Sequence, residues 1–144
     1  MINEFWIIDK SGICLFHRSV DKNETSSADS DQMQLISGFL SSILNLYSQI
    51  SSDELQKILG EGFKFLFFSY ANLIFMVRAN LNTNDNQIKK KINIIQKSFI
   101  KKYATELENF DGNIDSFKKF EKDLDQIFKK ISKLEKWSKG LSNL

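Results

Sequence analysis

Two reactive side chains stand three residues apart near the start of the chain: Cys14, its only cysteine, and His17, its only histidine. A thiol beside an imidazole could supply a nucleophile and its base, or two ligands of a zinc site. Neither reading goes far. One histidine and one cysteine fall short of the ligand set of an ordinary zinc site. No further base is identifiable near Cys14, which reads as a small core residue, and His17 reads as structural or surface. The close carboxylate group Glu121, Asp123 and Asp125 could suggest an acid–base pair or a metal site. It alternates with Lys118, Lys119 and Lys122, the pattern of a solvated helix face, and no EF-hand spacing accompanies it. Gly60-Glu61-Gly62 is too short for a phosphate-cradling loop and lacks the following lysine. The expectation is a non-enzyme with no catalytic, cofactor-binding or metal-ligating residue.

The elements that would position these groups follow from local pattern. Ile2 to Asp9 and Ile13 to Val20 read as strands, joined by the turn Asp9-Lys10-Ser11-Gly12. Both are apolar at successive positions, as in a sheet covered on both faces. Asp21 to Asp31 is polar and reads as an exposed loop. A helix is expected from about Asp31 to Ile50, with Ile36, Phe39, Leu40, Ile43, Tyr47 and Ile50 on one stripe and the first four as its buried core. Gly38 inside it suggests a close approach to the sheet. Residues 51–60 could open a short helix through Ser51 and Glu54. The preferred reading is an edge strand, Leu55 to Leu59, followed by a Gly60-Glu61-Gly62 hairpin loop. Phe63 to Tyr70 and Leu73 to Ala79 are strands around a two-residue turn, Ala71-Asn72. A long helix is expected from about Asp85 to Glu108, and a last one from Asp115. The order β-β-α-β-β-β-α-α implies a three-layer α-β-α domain on a five-stranded, antiparallel-rich sheet. Residues 1–137 would form it, with 138–144 fraying.

Composition narrows the classes. A chain of 144 residues with 42% hydrophobic side chains fits one globular domain. No apolar run reaches the roughly 18 residues of a membrane span, and no secretory or myristoylation signal is visible at the N-terminus. With one cysteine, these features point to a cytoplasmic setting. Residues 1–84 carry six basic against nine acidic side chains, and residues 85–144 fourteen against nine. A lysine-rich helical surface accounts for the second value, and the excess leaves room for an acidic partner or a peripheral membrane contact. Only two arginines, Arg18 and Arg78, are present, which argues against nucleic acid.

The element order resembles the longin domain, a branch of the profilin-like folds, over nearly the whole chain. The resemblance rests on the opening hairpin from Phe5 to Phe16, on Leu35-Ile36-Ser37-Gly38-Phe39-Leu40, and on the paired hairpin Phe63 to Val77. Phe110-Asp111-Gly112-Asn113 looks like the break before the last helix in archaeal longin-like proteins, notably those of Asgard lineages. The resemblance implies a non-catalytic adaptor or scaffold linked to small GTPases or vesicle-trafficking machinery. Its partner would be a small GTPase, another longin- or roadblock-type subunit, or a second copy of the chain. Too few residues follow the long helix for the coiled coil of a SNARE. The candidate partner surface is the edge strand with the outer side of the first helix, at Asn45, Gln49 and Gln56. The alternative is a small-ligand-binding sensory module of related fold, which would need a concave apolar pocket with converging polar groups.

Overall fold

A computed structural model describes residues 2–19 and 30–142. Five antiparallel strands, β1 (Ile2–Asp9), β2 (Cys14–Ser19), β3 (Lys57–Leu59), β4 (Phe63–Tyr70) and β5 (Leu73–Asn80), form one sheet in the order β2-β1-β5-β4-β3. Helix α1 (Ser30–Ser51) lies on one face. Helices α2 (Asp85–Glu108) and α3 (Phe120–Ser142) cover the other, with a short 3-10 turn, Ile114–Phe117, between them. This is the three-layer α-β-α arrangement that the element order implies. The polar stretch expected as a loop is outside the described residues from position 21 to 29.

The hairpins form for local reasons. Asp9 Oδ1 accepts hydrogen bonds from the Ser11 and Ile13 backbone N–H groups at 3.0 and 2.9 Å and from the Ser11 hydroxyl at 2.7 Å. Gly12 completes that turn at φ +91°, a region costly for any other residue. Ala71 and Asn72 turn β4 into β5 with positive φ at both positions. In β2 the register slips, Ile7 facing Phe16 but Ile8 facing Cys14, so Leu15 is an extra residue. This bulge sends both Leu15 and Phe16 to the α2–α3 side and leaves Cys14 and His17 on the α1 side.

The two faces are packed differently. Under α2 and α3, Phe99 is at the centre of a ring cluster, with Phe75, Tyr103, Phe117 and Phe120 at centroid distances of 4.9–6.2 Å. Phe5, Phe16, Ile88, Ile92, Ile95 and Leu124 complete this core. Lys64 is buried there too. Its ammonium reaches the carbonyls of Leu81 and Thr83 and sits 2.5 Å from Asp85, which also holds Lys57 of β3 at 2.9 Å. Asp85 thus ties the start of α2 to β3 and β4.

The α1 side corrects the core expected in the first helix. Phe39 is 67% exposed, and Ile36, Leu40 and Ile43 are only half-buried. Leu40 packs on the sheet as expected, and beside it Met33, Gln34, Ser37, Ser41 and Leu44 are the residues of α1 turned to the sheet, with the two serines buried. Specific contacts set this rotation. The Gln34 amide donates to the Cys14 carbonyl at 2.9 Å and accepts from its N–H at 2.8 Å, and the Trp6 indole N–H points to Met33 Sδ at 3.4 Å. The close approach involves the β1–β2 turn: a Cβ on Gly12 would be 3.2 Å from Gly38 Cα, whereas one on Gly38 would meet open space. Smaller differences are that the edge strand covers Lys57–Leu59, that the turn Ile114–Phe117 delays the last helix to Phe120, and that α3 continues to Ser142.

Candidate functional site

The inward side of α1 mixes Ser37, Ser41 and Gln34 with Met33, Leu40 and Leu44, and a second apolar stripe is left outward. Leu35, Phe39, Leu46 and Ile50 are each more than half exposed, and Tyr47 is exposed with them. Their spacing makes a stripe along four turns of helix. Of the partner-surface residues singled out from sequence, Asn45 and Gln49 are exposed on this helix, and Gln56 is exposed just before β3. Strand β3 is one margin of the sheet. The Gln56 carbonyl accepts from Phe67 N–H at 3.0 Å, and Gly60 N–H donates to Phe63 at 2.9 Å. By antiparallel alternation, the polar backbone groups of Lys57 and Leu59 point outward from the edge. An apolar helix flank and an open strand edge are thereby available on one molecule. The omitted signal was that apolar residues on α1 spread beyond one face, more than a single sheet can cover.

A cleft of about 770 Å³ opens between α1 and the sheet. Trp6, Met33, Ile36, Leu40, Phe65 and Met76 form its apolar walls, with Leu35 and Phe39 also lining it. One end is polar because register places Ser19, Glu4 and Arg78 in a row across β2, β1 and β5. Glu4 takes Arg78 Nη2 at 2.7 Å and His17 Nε2 at 2.9 Å. Burial pushes the Glu4 carboxyl upward, but the His17 hydrogen bond and the Arg78 charge outweigh it and hold the group below its ordinary range. Among the described residues, Arg78 Nε and Ser19 Oγ are buried here without a hydrogen-bond partner. This row is invisible in sequence, since it needs three strands in register.

The reactive groups weighed first share a face of the sheet but are each engaged separately. Cys14 is buried, and that burial pushes its thiol up, away from nucleophilic thiolate chemistry. His17 is committed to Glu4 and lies 5.1 Å from the Trp6 ring. The acidic group on α3 is split: Asp125 pairs with Arg18 of β2 at 2.6 Å, and Asp123 with Lys102 of α2. These carboxylates fasten α3 to its neighbours. Among the described residues, no three metal-ligating side chains converge, and no helix is long and apolar enough to cross a membrane.

The five-stranded antiparallel sheet layered between helices is a roadblock- or longin-like fold, as its likeness to solved structures shows. A Roadblock/LC7 domain from Streptomyces avermitilis superposes with a TM-score of 0.54 at 9% identity, covering 72% of this chain and 86% of that one. MglB of Myxococcus xanthus gives 0.53 at 14% identity, covering 72% and 85%. No protein-family model matches the chain, and no curated protein matches it by sequence.

Proposed function

We propose that this domain is a non-catalytic protein-interaction module, an adaptor or scaffold in a complex linked to small GTPases or membrane trafficking. The observation that carries the reading is the outward apolar stripe of α1 together with the open edge β3. Such a surface fits a subunit of the same architecture, which would add a strand at Lys57–Leu59 and lay its own apolar helix beside Phe39. The longin resemblance supports the GTPase and trafficking link. The test is sedimentation combined with hydrogen exchange, on wild type and on a Leu35→Glu/Phe39→Glu variant. Protection of α1 and β3 that appears on association and is lost in the variant supports the reading. Protection confined to the helices after Asp85 refutes it.

A second reading has one observation in its favour. The cleft ends at two buried groups without a partner among the described residues, Arg78 Nε and Ser19 Oγ, which suit an oxygen acceptor on an otherwise apolar small molecule. Decanamide followed through Trp6 fluorescence in a Trp137→Phe variant tests it, with decylammonium, which offers no acceptor, as the control. Equal binding of both, or of neither, refutes this reading.

A further inference from the structure

The second half of α3 carries a surface that belongs neither to the core nor to α1. Its apolar seam is enclosed at Phe120 and Leu124 and still buried at Ile131. Beyond that point the seam runs into the open. Leu134 is 64% and Trp137 70% exposed, and positions three apart share a helix face. Lys133 and Lys130 stand one and two turns before Trp137 on that face, with Lys129 and Lys136 to its side. All four lysines are exposed, and among the described residues none pairs with a carboxylate. The nearby acids are occupied: Glu135 lies 3.5 Å from Lys91 of α2, and Asp125 is held by Arg18. Arg18, Lys129, Lys133 and Lys136 line one shallow groove beside Phe128.

Indole and ammonium groups on one exposed face make contrary demands on a partner. Lysine is depleted at the core of protein interfaces, and a partner burying Trp137 would have to desolvate Lys133 as well. Base recognition in nucleic acid favours arginine forks over flexible lysine point charges. An anionic bilayer meets both demands. The headgroup–acyl boundary accepts the apolar body of tryptophan and its N–H, while lipid phosphates sit at the level of the ammonium groups.

We infer that this half of α3 docks peripherally on an anionic lipid surface, with Leu134 and Trp137 at the headgroup–acyl boundary and Lys130, Lys133 and Lys136 on lipid phosphates. The whole chain provides its own reporter. Trp6 is 3% exposed, so a change in tryptophan emission on adding vesicles that is lost in Trp137→Ser reads Trp137. Mixed phosphatidylcholine–phosphatidylserine vesicles are expected to shift the emission to the blue, and raised salt to reverse the shift. Phosphatidylcholine alone is expected to leave it unchanged. In co-sedimentation, Lys130→Glu/Lys133→Glu and Trp137→Ser should each weaken vesicle binding by about tenfold or more. Both replace exposed residues, and circular dichroism checks that the fold survives. Three results overturn the inference: no binding to the mixed vesicles, equal binding by the charge-reversed variant, or the same blue shift on concentrating the protein without lipid. The last would assign the patch to a second copy.

Discussion

The two faces of the sheet bury their residues by different rules. Beneath α2 and α3, interlocking rings fill the space, and Phe75, Phe99, Phe117 and Phe120 are all fully enclosed. Beneath α1, Met33, Leu40 and Leu44 pack beside two buried serines and the Gln34 amide, and a cleft remains. One face is assembled for stability by volume, the other for placement by a few directed contacts. The difference shows that a helix can be fixed firmly while keeping its most apolar residues for something else.

The sharpest test of that contrast is a pair of like substitutions. Phe99→Ala should cost about 3–5 kcal/mol in chemical denaturation, the range for a core aromatic. Phe39→Ala should stay within about 0.5 kcal/mol while weakening association. Equal losses would erase the distinction between the faces.

A second test strikes the polar tie on the α2 side. Asp85→Ala leaves the buried Lys64 ammonium with carbonyl partners alone and should cost about 1–3 kcal/mol, since Asp85 itself is part-exposed. The hydrogen bonds from Lys64 and Lys57 hold Asp85 below its ordinary value of 3.8. A lowered folded value contributes stability that is present above 3.8 and is lost as pH falls through the folded value. Denaturation followed from neutral to acid pH should show this loss in wild type and a shallower one in Asp85→Asn.

The smallest effects concern the closest approach of α1. Gly12→Ala should destabilise by about 1–2 kcal/mol, because its φ is left-handed and the new methyl meets Gly38. Gly38→Ala, with open space around it, should stabilise by up to about 1 kcal/mol through helix propensity. Thermal melts of the two variants should therefore move in opposite directions.

Elements governed by local chemistry were legible in the sequence. The Asp9–Gly12 turn, the Ala71-Asn72 turn and the helix Asp85–Glu108 are where turn residues and periodicity place them. For α1 the periodicity was real, but a helical period says which residues share a face and not which way the face looks. Orientation came from Gln34 on Cys14 and from Met33 on Trp6, long-range contacts without a sequence signature. The same holds for the cleft. Ser19, Glu4 and Arg78 become neighbours only through three-strand register, and Cys14 joins the face of His17 only because Leu15 bulges. The last helix starts late because Asn113 accepts from Asp115 N–H at 3.0 Å and caps a separate turn, a competition between short-range bonds that spacing alone does not resolve.

The Gln34 amide on the Cys14 backbone has a further consequence for growth. An antiparallel sheet has two margins, and strand addition at both would propagate without end. In this protein the β2 margin already spends the N–H and C=O of Cys14 on a side chain from its own α1. Arg18, farther along that strand, is engaged by Asp125. Among the described residues the β3 edge carries no such side-chain bond, so two sheets joined there would each turn outward a margin that is capped at Cys14. Association through this sheet would then be a closed, two-body event, and a filament would be arrested at its first step.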